Sequence, residues 1–305
     1  MASPDIAQGA WAGSVAEAYG FCQALTRAQA GNFYYAFLPL PRQQRHAIYA
    51  AYAFSRSCDD YADEPIEEPR KLELLEGHRK LLHQAYEDRP SGPVFTALAD
   101  AAQRYGIPRE YFDGLIDGVL MDLTVRRYET FDDLYRYCYH VASLVGLVCI
   151  EIFGYSDPRA KEHAIAMGLA MQLVNIMRDV KEDAERDRIY LPLDELRQFG
   201  YSEADLFGGV VNEPFVELMK HQAGRARQFF QDGGRLLPLV PLRTRVCPAI
   251  LRGLYSEVLR RIEARRYDVF QGRIRLAARQ KLWLAGKIWM ATTLKGLLPL
   301  GKSSS

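Results

Sequence analysis

The sequence has few cysteines and no long hydrophobic run, and these absences exclude several classes of protein. Its five cysteines are odd in number and include no C-x-x-C pair. This excludes a disulfide framework and is typical of free thiols in a reducing compartment. The N-terminus "MASPDIAQGAWAGS" has no basic region before an apolar core, so we expect no signal peptide. No apolar run reaches the roughly 18 residues that span a bilayer. We interpret the nearest, residues 140–154, as a buried core helix.

Charge is spread unevenly, although the net charge is only +1. Residues 220–305 hold 18 Lys and Arg against four acids, a balance of +14, which leaves −13 for residues 1–219. The C-terminal third is therefore a candidate surface for anions such as a membrane, a nucleic acid or phosphate groups. For any single arginine, a solvated basic face is the simpler explanation.

Strand signals are missing as well, because the sequence has no alternating β-branched runs and no hairpin dipeptide between such runs. Proline and glycine instead punctuate long segments with helical patterns. No long polar linker divides the chain, so we predict a single all-α domain. The predicted helices are residues 14–30, 41–60, 68–88, 92–105, 108–121, 130–153, 158–186, 192–198, 213–235, 246–270 and 275–297.

A cluster of acids lies at the end of one apolar helix. Asp59, Asp60 and Asp63 place three carboxylates within five residues. On a helix, Asp59 and Asp63 are separated by one turn on the same face, where like charges destabilise it. A hard divalent cation would reverse that effect, because it prefers carboxylate oxygens. An exposed acidic helix end is the alternative for this motif alone.

A second polar stripe makes the metal hypothesis stronger. Gln172, Asn175, Asp179 and Asp183 follow one another at spacings of three, four and four residues, and therefore lie on one face of a helix. They interrupt a stripe that would otherwise be apolar, and buried polar groups need partners. Two such helices facing each other across a bundle core would hold several cations. Since Mg²⁺ takes one or two protein carboxylates plus substrate phosphates, the paired motifs predict a diphosphate ligand.

From about residue 28 to 290 the sequence resembles the squalene/phytoene synthase family, the head-to-head prenyltransferases. The matching stretches are "NFYYAFLPLP", "IYAAYAFSRSCDDYAD", "YRYCYHVASLVGLV", "LAMQLVNIMRDVKEDAERDRIYLP" and "LYSEVLRRIEARRYDVFQGRI". The resemblance implies an all-α, single-domain isoprenoid synthase fold of the class I terpenoid synthase type, a helical bundle around a central cavity. Residues 1–27 would form an N-terminal segment, 28–290 the catalytic domain and 291–305 a C-terminal tail. The implied reaction is the Mg²⁺-dependent 1′–1 condensation of two prenyl diphosphates through a cyclopropylcarbinyl diphosphate.

The resemblance also implies roles for individual residues. Asp59, Asp60 and Asp63 match the first aspartate-rich motif of the family, and Asp179 and Asp183 match the second; Asp59, Asp63, Asp179 and Asp183 would ligate several Mg²⁺ ions. Tyr137 matches a tyrosine near the reacting carbons. The diphosphate-binding positions match Arg56, Arg178, Arg273, Asn32, Tyr52, Gln172, Asn175, Tyr190 and Tyr255.

Three of these assigned residues either have a simpler explanation or depart from the family pattern. Plain core packing would explain Tyr52 and Tyr255 equally well. The family's Ser-x-Ser-Phe reads Ala30-Gly31-Asn32-Phe33 here. Asn32 still offers an amide donor, but Ala30 has no polar atom, so diphosphate binding at this end differs from the family pattern.

The resemblance leaves the chain length of the substrate open. Phe33 and Phe37 lie on one helical face, and the family position matching Phe37 tends to be small in enzymes that use C20 substrates and bulky in those that use C15. We therefore expect two farnesyl diphosphates, giving presqualene diphosphate and a C30 squalene-type product. The alternative is phytoene synthase, which condenses two geranylgeranyl diphosphates and which "YCYHVA" favours. The sequence does not imply NADPH, although squalene-type enzymes use it for reduction.

Other functions agree less well with these residues. A class I terpene cyclase needs similar metal motifs, but "RIYLP" and "YCYHVA" argue against it. A head-to-tail prenyltransferase normally has a richer "DDxxD" in both motifs. A non-catalytic membrane-associated helical scaffold would not need five motif aspartates. We expect no nucleic-acid partner and a cytoplasmic location. The basic amphipathic segment 281–302, with Trp283 and Trp289, predicts peripheral contact with the inner face of a membrane; a terminal helix packed on the body is the alternative.

Overall fold

A computed structural model describes residues 11–63 and 65–297, except for the side chains of Asn32, Asp63 and residues 295–297. All regular structure in this range is helical, so the predicted all-α fold class is confirmed. The α-helices are α1 (Val15–Gln29), α2 (Asn32–Phe37), α3 (Arg42–Asp63), α4 (Glu68–Tyr86), α5 (Gly92–Tyr105), α6 (Arg109–Thr124), α7 (Phe131–Cys138), α8 (Leu144–Phe153), α9 (Ala160–Ala184), α10 (Leu193–Phe199), α11 (Glu203–Phe207), α12 (Glu213–Gly234), α13 (Leu242–Ala264) and α14 (Ala278–Leu297).

Three elements differ from the predicted helices. The short helices α2 and α11 were not predicted. Helix α13 begins at Leu242 rather than 246, and it tolerates Pro248 within its second turn. It ends at Ala264 rather than 270, because Arg266 and Tyr267 adopt positive φ angles of 51° and 63°, a left-handed conformation that a helix cannot continue through.

The segment predicted as one helix over 130–153 is α7 and α8 joined by a π-helical turn at Tyr139–Ser143. This turn packs closely on α9, because a Cβ added to Gly168 would lie 2.7 Å from the carbonyl oxygen of Ala142. By length and composition alone, Phe131–Phe153 could cross a membrane, but half of its most apolar window is buried in the protein. The segment therefore packs as the core helix expected from the sequence.

Helices α3 and α9 carry the two aspartate motifs, and both motifs lie near the C-terminal ends of their helices. His78 of α4 contacts α3 near its C-terminal end, where His78 Nε2 lies 2.9 Å from Ser57 Oγ. The His78 ring also stacks on Phe54 at a centroid distance of 5.0 Å. Burial lowers the pKa of His78 to about 3, so the imidazole is neutral at physiological pH. This neutral, buried contact positions the last turn of α3 against the rest of the bundle.

Candidate active site

A cavity of about 400 Å³ runs through the centre of the bundle, and its polarity changes from one end to the other. Its polar end contains Asp59 from α3, Asp122 from α6, Tyr137 from α7 and Asn175 from α9. Along α9 the wall then continues through Gly168 and Met167 to Ala164. Eleven residues of helix separate Asn175 from Ala164, which corresponds to about 16 Å. The cavity therefore offers a long apolar chamber with a polar group at one end.

The first aspartate motif divides its carboxylates between two environments. Asp59 faces the cavity. Asp60 is mostly buried and forms an ion pair with Arg56, one turn earlier on α3. The side chain of Asp63 lies outside the described residues, as does that of Asn32. Among the described side chains of the motif, Asp59 is thus the carboxylate that lines the cavity.

Asp179, in the second motif, is held by two arginines. Arg178 Nε donates to Asp179 Oδ1 at 2.7 Å. Arg273, from the segment after α13, donates to both carboxylate oxygens, with Nε–Oδ1 and Nη2–Oδ2 distances of 2.8 and 2.7 Å. Burial alone would raise the pKa of Asp179, but the hydrogen bonds and charges of both arginines outweigh it and lower the pKa. Asp179 is therefore ionised and brings two guanidinium groups to the polar end.

Asp183 behaves in the opposite way. Burial, and then the negative charge of Asp179, raise its pKa to about 7. Among the described residues Asp183, unlike Asp179, has no ion pair of its own, and a divalent cation would supply the missing counter-charge. No three described His, Cys, Asp or Glu side chains lie close enough together to hold a metal ion by themselves. The donor set still fits Mg²⁺, which commonly takes one or two carboxylates and completes its shell with phosphate oxygens and water.

The polar wall next to this pair contains amides and a tyrosine. Asn175 Nδ2 donates to Gln172 Oε1 at 3.2 Å, and both residues line the cavity. Burial raises the pKa of Tyr255, while Arg178 and the amide of Asn175 oppose that rise. Tyr52 also lines the cavity, and burial raises its pKa to about 12. These hydroxyls are therefore neutral donors directed at the polar end.

Asp122 is a site residue that the sequence did not reveal. Tyr190 donates to its Oδ1 at 2.7 Å and Tyr137 to its Oδ2 at 3.2 Å, and Arg188 Nη2 donates to its backbone carbonyl at 2.8 Å. The rings of Tyr137 and Tyr190 stack with centroids 5.1 Å apart. Burial raises the pKa of both tyrosines. The one available signal was a single acid inside the apolar stretch "GVLMDLTV".

The structure therefore brings most of the predicted site residues to one end of the bundle. The predicted residues that line the cavity are Phe33, Phe37, Tyr52, Asp59, Tyr137, Gln172, Asn175 and Tyr255. Tyr190 joins them through Asp122, and Arg178 and Arg273 join through Asp179. Arg56 and Asp60 form their own pair on α3. Their catalytic and binding roles remain predictions at this point.

Comparisons with known proteins agree with this arrangement. The family model "Squalene/phytoene synthase" matches residues 26–280. A phytoene synthase from Arthrospira platensis is 39% identical, with 84% of this chain and 87% of that protein covered. A 15-cis-phytoene synthase from Synechococcus elongatus is 37% identical, with 88% and 91% covered.

Solved structures give the same family. Squalene synthase HpnC from Alicyclobacillus acidocaldarius is 30% identical with a TM-score of 0.79, covering 83% of this chain and 95% of that one. A dehydrosqualene synthase bound to a ligand is 27% identical with a TM-score of 0.84, covering 92% and 98%. The names of the sequence relatives favour phytoene synthase, the alternative above, over the farnesyl diphosphate enzyme expected first. The chain belongs to the squalene/phytoene synthase family, whose members are prenyltransferases that join two prenyl diphosphates head to head.

Proposed function

We propose that this protein condenses two molecules of geranylgeranyl diphosphate, the reaction of a phytoene synthase. The carrying observation is the similarity to two phytoene synthases, and the apolar cavity that extends along α9 from Asn175 would receive the prenyl tails. Phe33 meets the ring of Tyr255 at 6.2 Å, which places it beside the polar end rather than at the far end. The small Ala164 side chain lines the far wall and leaves room for a prenyl tail. The names of the sequence relatives support the same substrate.

A specific observation favours a second candidate, the condensation of two farnesyl diphosphates through presqualene diphosphate. Phe33 and Phe37 both line the cavity and stack at 6.1 Å. The rings of Phe37 and Tyr49 are in edge contact, with centroids 6.3 Å apart, so Tyr49 restricts the position of Phe37. A fixed aromatic wall would shorten the space for one of the two tails.

The residues at the polar end suit ionisation of a diphosphate ester. Magnesium, when bound at Asp59, Asp179 and Asp183, would make the diphosphate a better leaving group. Arg178 and Arg273 would bind phosphate oxygens through their planar forks. The buried apolar wall would keep water from an allylic cation, and the neutral Tyr137 and Tyr190 rings would stabilise its charge.

We also propose that the protein contacts a membrane through α14. Ala285 is buried and Ile288 packs against Gly253 of α13, so one face of α14 is attached to the body. The remaining surface of α14 exposes apolar side chains between 47% and 67%, namely Leu282, Trp283, Trp289, Met290 and Leu294. Lys287 lies over the Trp283 ring at 5.2 Å. A basic helix with exposed tryptophans suits the headgroup region of anionic lipids, and the lipid product supports this location.

Replacing Asp179 with Asn should reduce turnover at least roughly 100-fold at limiting Mg²⁺. The substitution removes a direct metal ligand, which costs more activity than the loss of a residue that only orients a ligand. Asp59→Asn should behave in the same way. Pyrophosphate release measured against Mg²⁺ concentration tests this, with thermal melts to verify folding. Asp88→Asn, in an exposed turn, is the matched control. Near-normal activity of either motif variant at limiting Mg²⁺ would show that the metal assignment is wrong.

Asp122→Asn should lower kcat at least roughly tenfold, because the hydroxyl of Tyr137 loses a charged acceptor. If Asp122 acts through Tyr137, the double variant Asp122→Asn/Tyr137→Phe should be no slower than Tyr137→Phe alone. Single-turnover rates of the natural chain, the two single variants and the double variant complete this double-mutant cycle. Additive losses would contradict a positioning role for Asp122.

Substrate length is tested by competition between C15 and C20 diphosphates, with the lipid products identified by mass. The first proposal predicts a C40 product from the natural chain and an unchanged preference in Phe37→Ala. The second predicts a C30 product from the natural chain and a gain of C20 activity in Phe37→Ala. Phe33→Ala, one turn closer to the polar end, is the comparison. Because Phe→Ala in a core costs about 3–5 kcal/mol, Phe37→Leu serves as a milder variant.

Vesicle co-sedimentation tests the membrane contact. The intact chain should sediment with vesicles containing anionic lipid, and Trp283→Ser/Trp289→Ser should bind several-fold less, because the exposed aromatic face is lost. Val210→Ser/Val211→Ser, which alters two other exposed apolar residues, should bind normally. Equal binding by the tryptophan variant and the natural chain would rule out this contact surface.

A further inference from the structure

A second depression of about 540 Å³ lies beside the polar end of the cavity, where four helix ends meet. Its walls contain Ala62, Ile66, Glu68, Lys71, Leu123, Arg126, Arg186 and Arg188. The four cations Lys71, Arg126, Arg186 and Arg188, hereafter the basic depression, face a single described carboxylate, Glu68. None of these residues is among the candidate diphosphate or metal ligands of the active site.

Two of the four cations have structural partners. Lys71 donates to the carbonyl of Ala62 and so caps the end of α3. Arg188 donates through Nη2 to the carbonyl of Asp122, the residue that holds Tyr137 and Tyr190. Its Nε is buried and has no partner. Arg188 therefore connects the basic depression to the wall of the main cavity, with one donor unused.

The segments that carry Arg126 and Arg186, the other two cations, are joined by hydrogen bonds. Ile189 N donates to the Arg126 carbonyl at 3.0 Å, and Arg127 clamps the intervening turn through Asp187 at 2.8 Å. Among the described residues, neither Arg126 nor Arg186 has a side-chain hydrogen bond or ion pair. Both are exposed. The fold thus places two exposed guanidinium groups in the same depression, without an ion pair of their own among the described residues, as an anion-binding site requires.

We infer that the basic depression binds inorganic pyrophosphate as it leaves the active site. This inference rests on the proposed function, because each condensation releases pyrophosphate at the adjacent polar end. Arg188 lines the basic depression and donates to the carbonyl of Asp122, which lines the main cavity, so the two sites are adjacent. An anion that leaves the polar end of the cavity would therefore enter the basic depression past Arg188.

Calorimetric titration of the full-length protein with inorganic pyrophosphate, in EDTA, tests the inference. Pyrophosphate should bind at two sites, the active site and the basic depression. In Arg126→Gln/Arg186→Gln we expect binding at one of them to weaken at least roughly tenfold, the effect of losing one charge-assisted hydrogen bond. Arg27→Gln/Arg243→Gln makes the same charge change at exposed residues elsewhere and should bind normally. Glu68→Gln should bind more tightly, because it removes the carboxylate from the depression.

Product inhibition gives a second measurement of the same site. Added pyrophosphate should inhibit Arg126→Gln/Arg186→Gln at a higher concentration than it inhibits the control variant. Identical binding and inhibition in both double variants would overturn the inference. Binding of NADPH without binding of pyrophosphate would also overturn it, in favour of a nucleotide site. If prenyl condensation failed but variant-sensitive pyrophosphate binding persisted, the proposed function would fall and the anion site would remain.

Discussion

The neutralisation of buried carboxylates at one end of an apolar cavity is the constraint on which the rest of the structure depends. Asp179 is paired with Arg178 and Arg273, and Asp60 is paired with Arg56. Asp183 has no comparable arginine contact among the described residues, and its pKa rises to about 7. Unpaired charge is expensive in such surroundings. The polar end therefore needs Arg273, from the segment after α13, to complete its charge balance. Arg273 lies 94 residues along the chain from Asp179.

The aspartate motifs could be predicted because each one is local. A spacing of four residues places Asp179 and Asp183 on one helical face, and the amides of Gln172 and Asn175 extend that face toward the cavity. Asp122 has no such pattern around it. Its role depends on Tyr137 and Tyr190, which are 15 and 68 residues away in sequence. Only the packing of α6 against α7 and the segment after α9 brings these three residues together.

The same distinction applies to the fold. Long helices such as α3 and α9 have enough turns for a hydrophobic period to be visible, and they were predicted within a few residues. Helices α2 and α11 have six and five residues, too few to show a period. The end of α13 is set by left-handed conformations at Arg266 and Tyr267. Neither is a glycine, so the sequence carried no signal for that stop.

The two ends of the cavity place different demands on the chain. The polar end works only if several charged groups hold fixed relative positions, so its residue types and spacings can be recognised in the sequence. The apolar end needs only shape and volume, and one methylene in such a pocket changes specificity by about 1–3 kcal/mol. A single ring such as Phe37 can therefore alter the preferred chain length while the rest of the sequence stays similar. For this reason, 39% identity to a phytoene synthase constrains the chemistry at the aspartates more tightly than it constrains the length of the prenyl tail.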